Sequence, residues 1–249
     1  MQNNKVKNRI WEIDFARGVC IILVIIGHII YDLNYYFNFP LSLDFPLIKI
    51  IAYLVVTIFI VLCAISSSFS NSNLKRGFKL LAVAVLITIV SYIYSPNFFI
   101  KFGIIHLLSI NIILYPVFRK LPDYALIATG SVIIAIGIFF SQITTDFSFL
   151  FPLGIKNLSF SSLDYFPLFP WSGVFLLGIY FSRIFYKDRK SIFEWSKNNK
   201  TIFWFGRHSL WIYLAHQPVL IFVFKIFSWN HFFKLFLINY LYSQFLCFI

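Results

Sequence analysis

Phe15-Ala-Arg-Gly-Val-Cys-Ile-Ile-Leu-Val-Ile-Ile-Gly-His-Ile-Ile-Tyr-Asp-Leu-Asn-Tyr-Tyr-Phe37 is the stretch on which the fold turns. As a helix rising 1.5 Å per residue it reaches about 34 Å, enough to cross the roughly 30 Å hydrocarbon core of a bilayer. The charges of Asp14 and Arg17 stand at its start and no small-residue cleavage site follows, so the segment is expected to be a retained span rather than a signal peptide. The rest of the chain has the same character. Of 249 residues, 60% are apolar and 12% charged, and 33 Phe, 14 Tyr and 6 Trp exceed what a soluble core of this length can bury. The excess has to face lipid, which excludes a water-soluble globule. A net charge of +12 would point to nucleic acid in a soluble domain. Here the cations lie in short connections between apolar runs, where they encode membrane topology, and no nucleic-acid partner is expected.

Hydropathy divides the chain into about eight candidate spans, roughly 15–37, 47–69, 79–95, 102–118, 124–143, 166–186, 207–227 and 232–249. Pro40, Pro46, Asn71-Ser-Asn73, Ser95-Pro-Asn97 and Arg119-Lys-Leu-Pro122 punctuate them. Lys5, Lys7 and Arg9, then Lys75, Arg76 and Lys79, then Arg119 and Lys120, then Lys187, Arg189, Lys190, Lys197 and Lys200 make alternate connections basic. An excess of Lys and Arg marks the cytoplasmic side. The expected architecture is therefore an all-α, polytopic transmembrane helical bundle with both termini cytoplasmic, forming a single domain over 1–249. The outer connection at 144–165, rich in Phe, Ser and Pro, is expected to lie along the membrane interface. Cys20, Cys63 and Cys247 sit in apolar runs without metal or disulfide spacing and are expected to pack as small residues.

Ionisable side chains inside spans are expensive and so are candidates for function. Arg17 and His28 lie eleven residues apart. Eleven steps of 100° come to three turns plus about 20°, so both side chains share a face, separated by about 16 Å along the axis. Asp32, four residues beyond His28, is within side-chain reach of it. A cation at the cytoplasmic mouth and an imidazole deep in the bilayer suit a long substrate with an anionic head, and an acyl-CoA thioester has that shape. Neutral imidazole can take a proton from an attacking hydroxyl or amine or itself attack the thioester, and Asp32 is placed to orient it. Simpler roles exist for each residue. Arg17 also suits a pair with Asp14, His28 a hydrogen bond between helices, and Asp32 a hydrated outer end.

His106 and, in Gly206-Arg-His-Ser-Leu-Trp-Ile-Tyr-Leu-Ala-His-Gln-Pro218, His208 and His216 are the other histidines in or beside spans, and His231 reads as an outer-loop residue. His216 lies about 13–14 Å beyond Arg207 by helical rise, beside a Gln and a Pro, where it either lines a cavity or makes a polar contact at a kink. His106 has the same two readings, and His208 fits simple interfacial exposure. Zinc motifs, a P-loop, a dinucleotide fingerprint and a Gly-x-Ser-x-Gly elbow do not occur. No metal is expected, because acyl transfer from a thioester already has a good leaving group. Two other classes compete. A proton-coupled transporter of small solutes or lipid-linked sugars predicts paired broken helices in two matching halves, and inspection finds no internal repeat. An assembly subunit would use the polar groups for packing alone.

Arg9-Ile-Trp-Glu-Ile-Asp-Phe-Ala-Arg-Gly-Val-Cys-Ile-Ile-Leu-Val-Ile-Ile-Gly-His28, with Tyr31-Asp32-Leu33, resembles the first helix of bacterial members of the heparan-alpha-glucosaminide N-acetyltransferase catalytic-domain family. Lys101-Phe-Gly-Ile-Ile-His-Leu-Leu-Ser109, Asp164-Tyr-Phe-Pro-Leu-Phe-Pro-Trp-Ser-Gly-Val-Phe-Leu-Leu-Gly178 and the segment Gly206–Pro218 are similar to that family in the same order. An Arg followed after ten residues by His is also the pattern of the related membrane acyltransferase family 3. The resemblance implies a multi-pass enzyme of the cell membrane that moves an acyl group, usually acetyl, from cytosolic acyl-CoA to a sugar or glycan at the far face. It implies His28 as the catalytic residue, with Asp32 beside it. Arg17, Arg207, His106 and His216 are then expected to bind the acetyl-CoA or line its path. Assembly into a homo-oligomer is compatible with this organisation.

Overall fold

The computed structural model describes residues 10–37, 45–193 and 200–246, with side chains of the last stretch described over 201–227. Lys5, Lys7, Arg9, Pro40, Lys197 and Cys247 lie outside the described residues, as do the side chains of Lys200 and His231. Among the described residues eight helices follow one another: α1 (Trp11–Phe37), α2 (Pro46–Ser68), α3 (Asn73–Tyr94), α4 (Ile104–Phe118), α5 (Asp123–Phe140), α6 (Leu168–Phe185), α7 (Lys200–Arg207) and α8 (Ser209–Leu246). Between α5 and α6 lie a single 3-10 turn, Phe151–Leu153, and two isolated bridges, Phe102 to Tyr165 and Thr144 to Lys156, start or end there. No strand occurs among the described residues. Six helices, namely α1, α2, α3, α5, α6 and α8, are long and apolar enough to cross a membrane, and α4 is a shorter apolar helix. The protein is thus an all-helical membrane protein.

Proline sets several boundaries. It stands at the first position of α2 and immediately before α5 and α6, where a missing N–H costs nothing and the fixed φ favours a helical start. Two elements differ from the sequence expectation. The spans expected at 207–227 and 232–249 share one helix over residues 209–246, because Ser228-Trp-Asn-His231 between them holds neither Gly nor Pro to stop it. His231 is accordingly in helical backbone rather than in an outer loop. The long inner connection, about 187–206, runs into a short helix, α7, whose Ile202 and Gly206 repeat at four residues and so share one face.

The chain forms two compact units. One comprises Met1–Ile10 with Thr57–Trp195, the other Trp11–Val56 with Ser196–Ile249, and the boundary falls within α2. In the first unit α3 and α4 run antiparallel, as do α5 and α6. Gly77 near the start of α3 meets Ser109 and Ile113 far along α4, whereas Thr88 near the end of α3 reaches Ile100 and His106. Gly137 late in α5 meets Pro170 early in α6, and Gly130 meets Gly173 and Leu177. The α5–α6 crossing is therefore backbone against backbone, the arrangement by which small residues let helices approach where lipid supplies no hydrophobic drive. Leu126, Phe175, Leu176 and Ile179 fill the buried side of this pair. Arg183 of α6 closes its far end. Its guanidinium donates to the carbonyls of Leu121 and Arg119 at 2.8 Å each and to Asp123 Oδ1 at 2.6 Å.

A methyl group at Gly173 would overlap the carbonyl of Gly130, while one at Gly27 would meet nothing within 4 Å. Gly173→Ala is expected to destabilise the protein by about 1–3 kcal/mol through overpacking. Gly27→Ala, which removes a helix-interior glycine, is expected to be neutral or stabilising by up to about 1 kcal/mol. Thermal unfolding of both variants in the same detergent separates the two outcomes.

Candidate functional site

Four of the expected site residues on α1 and α8, His28, Asp32, Arg17 and His216, belong to the unit of Trp11–Val56 and Ser196–Ile249, and Arg207 at the end of α7 joins them. The directions of the helices follow from their contacts. Gly206 lies against the carbonyl of Asp14, and Gly18 against that of Ile202. Numbers fall on α7 as they rise on α1, so the two are antiparallel, four residues of each helix separating the two glycine contacts. A Cβ at either glycine would collide with backbone, so both must stay unsubstituted for this approach. Along α8 the order is reversed. His28 meets His216, Asp32 meets Gln217 and Tyr36 stacks on Phe224, so α8 runs parallel to α1. The chain turns back at His208, between the two helices.

This path builds a rim at the start of α1. Arg17 NH1 lies 3.9 Å from Asp14 Oδ1, and Arg207 Nε lies 3.7 Å from Asp14 Oδ2. The side chains of Arg17 and Arg207 are 24% and 53% exposed, so these pairs add little stability. Two guanidiniums thus flank the carboxylate of Asp14 at the start of α1.

Further along α1 is an inner tier. The rings of His28 and His216 have centroids 4.9 Å apart at an interplanar angle of 59°. His216 Nδ1 is 2.5 Å from the carbonyl oxygen of Tyr213, so this nitrogen carries hydrogen and donates. In the neutral ring Nε2 is then a bare acceptor, and it is buried without a hydrogen-bond partner. Asp32 is 2% exposed. Gln217 Nε2 donates to both of its carboxylate oxygens at 3.3 Å, leaving Gln217 Oε1 buried and unpartnered. The opposite amide orientation would set oxygen against oxygen. Asp32 and His28, though four residues apart on α1, share no hydrogen bond. The bond that Asp32 was expected to make to His28 is made instead across helices, to the Gln217 amide of α8.

His106 lies in the other unit, and both its ring nitrogens are engaged there. Nδ1 accepts the Gly103 N–H at 3.3 Å, and Nε2 lies 3.3 Å from Thr88 Oγ1. Since that hydroxyl donates to the Ile100 carbonyl at 2.8 Å, the ring Nε2–H donates to it. Phe102 stacks on the ring, and Asp164 Oδ2 accepts the Ile104 N–H at 3.0 Å, so α4 begins in a closed hydrogen-bonded frame. His208 is exposed and packs on Trp204, its Nδ1 2.9 Å from the Trp204 carbonyl. Sequence reasoning did not single out Gln217, Asp14 as the shared carboxylate, or Gly206. The available signal for Gln217 was its polarity within an apolar span.

If Gln217 holds Asp32, the two are energetically coupled. Asp32→Ala and Gln217→Leu, singly and together, are expected to be non-additive by about 0.5–1.5 kcal/mol in detergent unfolding. The same cycle on Asp32 and His28, which share no hydrogen bond, is expected to return a coupling below about 0.5 kcal/mol.

The family model for "Heparan-alpha-glucosaminide N-acetyltransferase, catalytic" matches residues 9–218, a range that includes the rim, the inner tier and the frame around His106. No curated protein and no solved structure matches the chain. The match covers well over half of the 249 residues. The chain belongs to the heparan-alpha-glucosaminide N-acetyltransferase catalytic-domain family, a family of membrane acetyltransferases.

Proposed function

We propose that this protein transfers an acetyl group from acetyl-CoA, entering at the cytoplasmic side of the cell membrane, to an amine or hydroxyl of a sugar or glycan at the opposite face. The observation that carries this reading is the pairing of two tiers on α1: a rim of Arg17 and Arg207 around Asp14, and an imidazole pair whose rings are 4.9 Å apart. Helical rise separates Arg17 from His28 by about 16 Å, a length suited to a donor with phosphates at one end and a thioester at the other. The parallel course of α1 and α8 supports the orientation. Both helices start at the same end, where α7 and Arg207 meet α1, and the positive-inside rule reads the basic connection that precedes α8 in the sequence as cytoplasmic.

In this reading Arg17 and Arg207 hold the anionic part of the donor through charge-assisted hydrogen bonds, for which a planar guanidinium is better shaped than an ammonium. His28 acts on the acetyl group, as base or as nucleophile. Asp32 contributes a buried negative charge that stabilises an imidazolium one helical turn away, while Gln217 keeps the carboxylate in place. His216 borders His28. His106 is assigned to holding the start of α4 through its two occupied ring nitrogens. Residues 1–249 serve as one acyltransferase domain.

Purified protein given acetyl-CoA labelled in the acetyl group, with glucosamine as acceptor probe, is expected to yield labelled sugar and free CoA. His28→Ala should reduce the rate by about 10²–10⁴-fold with the unfolding temperature unchanged. Arg17→Ala and Arg207→Ala should each raise the KM for acetyl-CoA about tenfold, the loss of one charge-assisted contact, with little change in kcat. A His28→Ala variant as active as the parent protein overturns the reading.

A further inference from the structure

We propose that His216 is a second catalytic base, which takes the proton of the acceptor while His28 carries the acetyl group. This deepens the acetyl-transfer reading above and rests on it. Its independent basis is the state of the His216 ring. Nδ1–H is tied to the Tyr213 carbonyl, which fixes the tautomer and directs the lone pair to Nε2. That nitrogen is buried, has no partner, and belongs to the ring next to His28. Buried side-chain polar atoms are nearly always satisfied, and one left bare needs a reason. Gln217 Oε1, on the following residue, is bare as well. Two lone pairs with no donor leave room for a ligand bearing N–H or O–H groups, which is the chemistry of the acceptor rather than of a thioester.

A second base also resolves a difficulty in two-step transfer. A ring nitrogen of His28 attacks the thioester carbonyl, the C–S bond breaks, and CoA leaves as the thiol with the proton from the other ring nitrogen. His28 is now a neutral acyl-imidazole, and its acylated nitrogen cannot serve as a base. When the acceptor N–H or O–H attacks the acetyl carbon, its proton passes to His216 Nε2. The C–N bond to His28 then breaks, the electron pair returns to the imidazole, and His216 hands the proton on to it. Both rings end as they began, and the sum is acetyl-CoA plus acceptor giving CoA thiol plus acetylated acceptor. Asp32, buried beside Gln217, lowers the energy of the transient imidazolium.

His216→Asn is the discriminating variant, because the Asn amide N–H can still reach a backbone carbonyl while the basic lone pair is lost. With labelled acetyl-CoA and no acceptor, the variant is expected to release CoA in a stoichiometric burst and to retain label that hydroxylamine removes. On addition of glucosamine, transfer should be about 10²-fold slower or worse than in the parent protein, and free imidazole should restore part of it. His28→Ala should neither retain label nor respond to imidazole in this way. Three results overturn the proposal: transfer by His216→Asn at the parental rate; loss of the CoA burst together with transfer; or a slow variant that imidazole does not rescue. Failure of the parent protein to consume acetyl-CoA at all would instead overturn the acetyl-transfer reading, and the two failures are thus distinguishable.

Discussion

A carboxyl group inside hydrocarbon has to be met from within the protein, and Asp32 is met by the amide of Gln217, 185 residues later in the chain. Around this contact the helical register of the whole unit is settled. Once Gln217 of α8 faces Asp32 of α1, His216 is brought against His28 and Phe224 against Tyr36. A helix that advances 100° per residue cannot rotate without breaking all three. The hydrogen bond itself is weak. At 3.3 Å it exceeds the 2.7–2.9 Å typical of charge-assisted bonds, and cross-helix bonds in membranes average only about 0.6 kcal/mol. The full penalty for an aspartate, about 2.5–3.5 kcal/mol, applies at the centre of a span, and Asp32 stands five residues before the end of α1. At this strength the contact sets register more than it adds stability.

The opposite solution appears at His106. There every polar atom of the ring has a protein partner, and the group closes the start of α4 with Thr88, Gly103 and Asp164. A saturated histidine has no lone pair or hydrogen left for a substrate. His216 has one nitrogen committed and one bare. The two residues look alike in the sequence, each a lone imidazole in an apolar run with a local partner three residues back for Nδ1, and the difference lies at Nε2, which Thr88 of α3 meets in His106 and nothing meets in His216. Hydrogen-bond accounting separates a saturated histidine from one with a spare lone pair, where burial alone does not, since both are largely withdrawn from solvent.

Much of the architecture was legible because it is written in one dimension. The lengths of the apolar runs and the Pro, Asn and Ser that punctuate them act through residues close in sequence, and most helices fall near where those signals put them. The shared face of Arg17 and His28 was legible for the same reason, since periodicity within one helix needs no tertiary information. What could not be read depends on partners far away. Asp32 was expected to turn to His28, four residues off, and turned instead to Gln217. The helix through 228–231 was read as a break because polar residues interrupt hydropathy there, although hydropathy and helical propensity are separate properties and Ser-Trp-Asn-His stops only the first. The antiparallel course of α7 depends on two glycines, and a glycine's use as a contact surface is visible only when the contacting backbone is known.

The glycine contacts also explain why the rim has the charge it has. Gly206 against Asp14 leaves no room for a side chain between α7 and α1, so the residue after it, Arg207, has to project beside the carboxylate of Asp14. Immediately beyond, the chain reverses at His208 and enters α8 in the direction of α1. One tight crossing thus fixes two things together: a second cation joins Arg17 at the start of α1, and α8 departs from that same level toward His28. His216 and Gln217 are then reached within three turns. The distance between rim and imidazoles is set by helical rise on both α1 and α8, not by the conformation of a loop. A donor held at the rim would present its reactive end at a depth that neither helix can alter without unmaking the other's contacts.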